Sequence, residues 1–116
     1  MSKFYNHPAY NGFIDDKSDL KYLKKFKKQF NTKGFDDSVT WSLDITIAKF
    51  ILPRLKRYIK LADKVIVIEP RYKKALDRMG RGFTLLADDN VFTHSDYRKV
   101  HIAFVELSNF HNHLWW

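Results

Sequence analysis

The stretch SVTWSLDITIAKFILPRLKRYIKLA, residues 38–62, decides the fold class of this chain. Its apolar positions are Trp41, Ile45, Ala48, Leu52, Leu55 and Ile59. They recur every three or four residues, as on one side of an amphipathic helix. Asp36 and Asp37 come shortly before them and suit the positive end of a helix dipole. The spacing therefore predicts a long central helix over residues 38–62.

Pro53 lies inside this predicted helix. Its ring nitrogen has no hydrogen to donate to the carbonyl of Lys49, and the ring pushes against that carbonyl. We therefore expect the central helix to kink at Pro53 or to divide in two there.

A basic helix is predicted before the central one. Ser18 can cap its start, and residues 31–34 supply its end. Its apolar positions are Leu20, Leu23, Phe26 and Phe30, and the surrounding lysines are Lys17, Lys21, Lys24, Lys25, Lys27 and Lys28. Residues 1–16 combine aromatic rings with turn formers and follow no period, which predicts an irregular N-terminal arm that its rings hold in order.

Two helices are predicted after the central one. Pro70 suits the first turn of the third helix, which residues 88–90 end. Thr93 or Ser95 caps a last helix that runs almost to the C-terminus. The intervening residues 65–68 have β character but no second strand to pair with, so a buried extended connection is favoured over a sheet.

The composition fits one small domain. The 116 residues include 10 Phe, 6 Tyr and 3 Trp, carry a net charge of +8 and contain no cysteine. The positive charge favours anionic partners, while the lack of cysteine excludes disulfides, thiolate zinc sites and thiol catalysis. No apolar run long enough for a membrane span or a signal peptide is present. We predict a soluble, all-α, compact bundle of four to five helices in a single domain, residues 1–116.

Asp44 is the most informative acidic residue. Its helical neighbours are Trp41, Ala48, Ile51 and Leu55. A carboxylate is therefore expected on a buried stripe, where it is costly unless it is paired. An ion pair or a cap to another helix is the simplest explanation, and a ligand contact or a general base is the alternative.

Two glycines interrupt the predicted third helix. Gly80 and Gly82 each cost that helix about 1 kcal/mol relative to alanine. Close packing against a neighbouring helix is the simpler explanation. The alternative is that the backbone there approaches a ligand.

The sequence contains no recognisable catalytic or metal-binding motif. Four histidines lie between residues 94 and 113, but His111 and His113 diverge by about 200° on a helix. The string at 111–113 spells a nuclease motif, yet such nucleases need a metal fold that a helical chain does not offer. Phosphate loops, nucleophile elbows and zinc-protease motifs are absent from the sequence. We therefore expect no enzyme activity, no metal and no cofactor.

Arginines and aromatic rings are the candidates for ligand contacts. A guanidinium binds phosphate through two parallel hydrogen bonds, and a ring can stack on a base. Basic clusters are also typical of solvated faces, and rings at helical spacing are typical of the core. The candidate ligand-binding residues are Trp41, Asp44, Arg54, Arg57, Tyr58, Arg78 and Arg81.

The run GFDDSVTWSLDITIAKFILPRLKRY, residues 34–58, resembles a family of small proteins encoded by tailed bacteriophages. The shared pattern is Gly-Phe-x-Asp, then Trp-x-Leu-Asp, then Ile-x-Pro-x-Leu-Lys. Residues 75–79 with Phe83 resemble the family's Leu-Asp-Lys-Met helix, and residues 110–116 resemble its Leu-Trp end. The chain departs from the family at residues 65–70, where other members have a Gly-Tyr-Pro turn and Glu-Glu-Trp.

The resemblance implies an all-helical phage protein in the host bacterial cytoplasm, and most members of the family have no assigned activity. The chain is also similar to phage anti-defence proteins that sequester the cyclic nucleotide signals of CBASS immunity. This implies a non-enzymatic, homo-oligomeric sponge for a cyclic oligonucleotide. In such a sponge Arg54 and either Arg78 or Arg81 would hold phosphates, and Trp41 or Tyr58 would stack on a base. Asp44 would accept from an exocyclic amine or orient an arginine.

Three other functions stay open at this point. A nucleic-acid-binding accessory protein would grip the phosphate backbone with residues 17–28, and its binding would weaken steeply as salt rises. An inhibitor of a host protein would use the basic helix or the aromatic C-terminus. A hydrolase of cyclic signals would release cleaved ligand.

Overall fold

A computed structural model describes residues 3–6, 10, 12–65 and 68–114. The α-helices are α1 (Leu20–Lys33), α2 (Leu43–Val65), α3 (Pro70–Ala87) and α4 (His94–Phe110), and short 3-10 helices cover Phe4–Asn6, Asp37–Thr40 and His111–His113. No strand occurs in these ranges and four α-helices are present, so the prediction of an all-α fold with four to five helices is confirmed. The chain divides into an N-terminal unit, Met1–Thr46, and a C-terminal unit, Ile47–Trp116. One domain over residues 1–116 stays a prediction.

The N-cap of helix α1 is Asp19, one residue after Ser18, which the sequence suggested as the cap. The Asp19 carboxylate accepts a hydrogen bond from the backbone N–H of Lys21 at 2.9 Å. The Ser18 hydroxyl instead accepts from the backbone N–H of Asp15. The helix ends at Gly34, which adopts a left-handed φ of 84° and donates its N–H to the carbonyl of Phe30. The predicted stop within residues 31–34 is confirmed.

Helix α2 begins at Leu43, five residues later than predicted. The buried Asp36 carboxylate accepts from the backbone N–H of Ser38 at 2.8 Å and so caps a 3-10 turn, Asp37–Thr40, before α2. The helix then continues through Pro53 without dividing. A kink at Pro53 stays a prediction.

The segment with β character falls partly outside the described residues. Val65 is the last residue of α2, and Ile68 lies just before α3. Ile66 and Val67 are not among the residues that the structure describes. A buried extended connection at 65–68 therefore stays a prediction, apart from Val65, which is helical.

Helices α3 and α4 make the principal helix pair of the C-terminal unit. Leu76, Met79 and Phe83 of α3 are buried. A Cβ at Gly82 would lie 2.4 Å from the Lys99 carbonyl oxygen and 2.5 Å from the Ala103 Cβ. The close packing predicted for Gly82 is confirmed, and it sets how near α4 approaches α3.

The described part of the N-terminal arm is held by its rings, as predicted. Phe4 and Tyr10 each contact the ring of Phe30 on α1, at centroid distances of 5.5 and 6.0 Å. The Tyr10 hydroxyl also donates to a carboxylate oxygen of Asp36 at 2.7 Å. Gly12 is required beside it, because a Cβ there would lie 2.0 Å from the Tyr10 hydroxyl.

Candidate anion-binding groove

An open groove of about 680 Å³ lies in the C-terminal unit among α2, α3 and α4. Its volume falls within the range of about 300 to 1,000 Å³ that is usual for small-molecule sites. Ile59 and Leu85 contribute apolar surface to its walls, and the buried Leu76 lies beneath them. We call it the basic groove, because charged side chains surround these apolar walls.

Three cationic side chains and one carboxylate line the basic groove. Lys56 comes from α2, Arg81 from α3 and Lys99 from α4, and all three are exposed. Asp77 is the acidic residue of the lining. Clustered cations beside low-dielectric walls favour a ligand that carries several negative charges.

A smaller pocket of about 230 Å³ adjoins the basic groove. It is lined by Arg78, Arg81, Lys99 and Ile102, so it shares Arg81 and Lys99 with the larger one. The two pockets together are therefore lined by four cationic side chains, Lys56, Arg78, Arg81 and Lys99.

Gly80 lies in the wall of the basic groove and differs from Gly82. No atom lies within 4 Å of the position that a Gly80 Cβ would occupy. Its carbonyl accepts from the Thr84 hydroxyl at 2.6 Å. Close packing does not explain this glycine, and the backbone is open to a ligand at this point.

The two arginines at the groove are not equivalent. Arg78 Nη1 lies 3.4 Å from Glu106 Oε1, and a pair this exposed contributes little stability. Arg81 forms no ion pair within the described ranges. The Arg81 guanidinium is therefore the more available of the two for a bidentate contact with phosphate.

The candidates from α2 lie elsewhere. The Arg54 guanidinium carbon is 3.9 Å from the ring centroid of Phe50, and Arg54 Nη1 donates to the Phe50 carbonyl at 2.7 Å. Arg57 is exposed and is not part of the groove lining. The Arg54 guanidinium therefore interacts with its own helix. Arg54 does not line the groove, so a phosphate bound there would not meet the predicted Arg54 contact.

Tyr58 takes part in a hydrogen-bonded cluster at the C-terminus. Its hydroxyl lies 3.0 Å from the Tyr72 hydroxyl, and both hydroxyls lie 3.1 Å from the His113 carbonyl oxygen. Burial and the neighbouring Tyr58 raise the pKa of Tyr72 above its ordinary value. The cluster fixes the 3-10 helix His111–His113, so the Tyr58 side chain has a structural role.

Trp41 and Asp44 belong to the N-terminal unit. Asp44 is exposed, and one of its oxygens accepts from the backbone N–H of Ile45 at 2.9 Å. The expectation of a buried carboxylate was wrong, because Asp44 lies on the exposed side of α2, whose first turn buries the neighbouring Ile45 instead. Trp41 is 59% exposed and contacts the rings of Phe13 and Phe26.

The structure therefore brings together Arg78 and Arg81 out of the predicted site residues. Lys99, which shares both pockets with Arg81, was missed by sequence reasoning. The sequence feature that could have identified Lys99 is the pair of small residues Gly82 and Ala103, which pack together. Lys99 lies one helical turn before Ala103 on α4, and this packing places it beside α3. A sequence shows which residues are small, but it does not show which of them pack against each other in the folded chain.

Within the described residues, no group of three His, Asp or Glu side chains is arranged to hold a metal ion. Over the same residues, no helix is both long enough and apolar enough to cross a membrane. No protein family, no curated protein and no solved structure matches the chain. The phage family and its implied function stay predictions.

Proposed function

We propose that this protein binds a cyclic oligonucleotide in the basic groove and holds it without cleaving it. The convergence of Lys56, Arg81 and Lys99 on a groove with apolar walls carries the proposal. A cyclic oligonucleotide presents phosphates and flat bases on one compact molecule. It therefore needs cations and apolar surface side by side, which this groove provides.

In this proposal the cationic side chains bind phosphates and the apolar side chains contact a base. Arg81 holds one phosphate through its guanidinium, and Lys56 and Lys99 supply point charges for a second phosphate. Ile59 and Leu85 cover the face of a base. The missing side chain at Gly80 leaves room for the ligand to approach the α3 backbone.

The resemblance supports a biological setting for this binding. We propose a phage-encoded anti-defence protein, acting in the host bacterial cytoplasm, that lowers the free concentration of an immune signal. A sponge of this kind must outcompete the host receptor, which requires nanomolar affinity, about −12 kcal/mol. We extend the proposal to a homo-oligomer that carries several grooves, whose stoichiometry native mass spectrometry would measure.

A ligand panel tests the proposal directly. The purified protein is mixed with cyclic di- and trinucleotides, and its melting temperature is followed. We expect at least one member to raise the melting temperature strongly, because binding to the folded state stabilises it. The bound ligand is then released by heat and analysed by chromatography. Intact ligand supports sequestration, cleaved ligand indicates a hydrolase, and no shift with any member contradicts the proposal.

Variants locate the site. Arg81→Ala should weaken binding about tenfold or more, because a charge-assisted bidentate contact is lost. Arg78→Ala should weaken it less, since Glu106 already faces that guanidinium. Arg71→Ala is the matched control, an exposed arginine of α3 outside the groove lining. If Arg81→Ala binds like the wild type, the site lies elsewhere.

Gly80→Leu tests the same site by filling it. The added side chain enters open space, so the fold should persist while the ligand is excluded. Circular dichroism checks the helix content of the variant. Unchanged ligand affinity in a folded Gly80→Leu protein would contradict the placement of the ligand in this groove.

A further inference from the structure

The N-terminal unit presents a second cationic surface on helix α1. Six of its 14 residues are lysines, and none is acidic. These lysines are Lys21, Lys24, Lys25, Lys27, Lys28 and Lys33, and all are exposed. Within the ranges that the structure describes, none of them forms an ion pair. Their charge is therefore available to an external anion.

Two exposed aromatic rings lie beside these lysines. Tyr22 is 47% exposed and stacks on the buried Phe26, with ring centroids 5.6 Å apart. Trp41 is 59% exposed and meets the same Phe26 ring edge-on at 5.9 Å. The ammonium of Lys25 lies 5.9 Å from the Phe26 centroid. One buried ring thus contacts two exposed rings, and the Lys25 ammonium lies near that buried ring.

We propose that Tyr22, Trp41 and the α1 lysines form a binding surface for single-stranded nucleic acid, called the aromatic-lysine surface. Unpaired bases stack on exposed aromatic rings in a manner that tolerates any base sequence. Lysines beside the rings hold the phosphates that connect those bases. The rings and the cations needed for this mode of binding occur together here.

A duplex fits the aromatic-lysine surface less well than a single strand. In a duplex the bases already stack on one another, so Tyr22 and Trp41 would have no partner. A lipid surface also fits less well, because membrane-bound helices use a free apolar face. The two large rings on the apolar face of α1 are occupied, since Phe26 is buried and Phe30 contacts the ring of Phe4. Among the predicted apolar positions of this helix, only Leu20 at its start is largely exposed.

This inference goes beyond the proposed function, because it uses different residues from those of the basic groove. The two proposals can fail separately. A protein that binds an oligonucleotide strand but no cyclic nucleotide would retain the second proposal and contradict the first.

Trp41 fluorescence tests the inference. The chain has three tryptophans, so replacing Trp115 and Trp116 by Phe leaves Trp41 as the single reporter. The probes are single-stranded DNA and RNA of about 12 nucleotides, a duplex of the same length, and anionic phospholipid vesicles. We expect saturable quenching by a single strand, with the DNA and RNA arms showing which sugar is preferred. No quenching, or tighter binding of the duplex or the vesicles, would overturn the proposal.

Ring variants separate stacking from simple charge attraction. Tyr22→Ala should weaken single-strand binding about tenfold, and Tyr22→Phe should restore it, because phenylalanine keeps the stacking face. Tyr97→Ala is the matched control, a 63% exposed tyrosine on α4. Equal affinities for Tyr22→Ala and the wild type would overturn the role of the rings.

Lysine variants measure the phosphate contacts. Lys25→Gln should reduce the slope of log affinity against log salt by about 0.7, the value for one contact with a single strand. Lys74→Gln, an exposed lysine of α3, should leave the slope unchanged. Trp41 emission that changes with protein concentration alone would show that a second copy covers the ring, and this outcome also overturns the proposal.

Discussion

The two units of this protein are stabilised by different interactions. The N-terminal unit buries Asp36 and Ser38 completely, and the Tyr10 hydroxyl bonds to both side chains. The C-terminal unit is organised around apolar residues of α3, with Met79 and Phe83 fully buried. Hydrogen bonds therefore specify the first unit, whereas close helix packing specifies the second.

A network of hydrogen bonds around Asp36 and Ser38 gives the N-terminal unit a single well-defined structure. The Ser38 hydroxyl donates to an Asp36 oxygen and accepts from the backbone N–H of Phe13. Among the described residues that are not exposed, every buried side-chain nitrogen or oxygen has a partner. Losing one bond in such a network leaves the other group buried and unsatisfied. The network thus holds the arm to the residues that precede α2.

The units also differ in how they present positive charge. Helix α1 spreads lysines along its exposed surface, whereas Arg81, Lys56 and Lys99 converge on one groove in the C-terminal unit. A spread of lysines suits an extended polyanion, and convergent cations suit a compact one. Nine of the 21 lysines and arginines of the chain therefore lie on these two kinds of surface.

The largest effect is expected from the glycine at the helix contact. Gly82→Ala should lower the free energy of unfolding by about 3 kcal/mol, because the new methyl group would overlap the Lys99 carbonyl and Ala103. Gly80→Ala is its matched control and should raise the free energy by up to about 1 kcal/mol, the helix-propensity gain. Urea denaturation measures both values. Equal effects of the two substitutions would show that close packing does not stabilise the C-terminal unit.

Tyr10→Phe tests the hydrogen-bonded network of the N-terminal unit. The variant keeps the ring contacts with Phe4 and Phe30 but removes the hydroxyl bound to Asp36. We expect a loss of about 2 kcal/mol in the free energy of unfolding, since Asp36 stays buried with one partner fewer. Tyr97→Phe, at an exposed tyrosine, should change it by less than about 0.5 kcal/mol. Equal stabilities for the two variants would show that the apolar ring contacts alone hold the arm.

The smallest effect is the pH dependence that Tyr10 contributes. Burial and the hydrogen bond to Asp36 raise the pKa of Tyr10 from 10.0 to about 12. A raised pKa means that the folded state favours the neutral phenol, so this stability is complete below pH 10 and is lost as the pH rises to about 12. We expect about 1 kcal/mol, since water screens a partly exposed hydroxyl.

The measurement compares the wild type with Tyr10→Phe in urea across this alkaline range. The difference in free energy of unfolding between the two should shrink as the pH rises above 10. A constant difference would indicate that the Tyr10 hydroxyl titrates in the folded protein as it does in water.

Several helix ends were predictable because their signals are local. Gly34 ends α1 with a positive φ, Pro70 occupies the first position of α3, and Thr93 caps α4 through a reciprocal bond pair with Asp96. Each of these depends on residues within four positions in the chain. The start of α2 was misplaced, because the buried Asp36 carboxylate caps the earlier 3-10 turn and also binds Tyr10, 26 positions away.

The candidate site was less predictable than the helices. Arg78 and Arg81 were selected because a guanidinium binds phosphate through two hydrogen bonds, but Asp44 was expected on the buried stripe of α2 and is exposed beside the buried Ile45 and Ala48. A shift in where a helix starts does not change its period. The side chains of neighbouring residues nevertheless point in directions about 100° apart around the helix axis. Which side is buried is decided by the elements that pack against it.

The sequence by itself determined the all-α class, a range of four to five helices and several of the helix ends, because periodicity and caps act over a few residues. The tertiary structure alone decided that Gly82 packs closely while Gly80 stays open, and that Lys99 joins Arg81 at one groove. Such meetings depend on the register between helices far apart in the chain. That register is set by side-chain packing along the whole contact between two helices, so no short stretch of sequence predicts it.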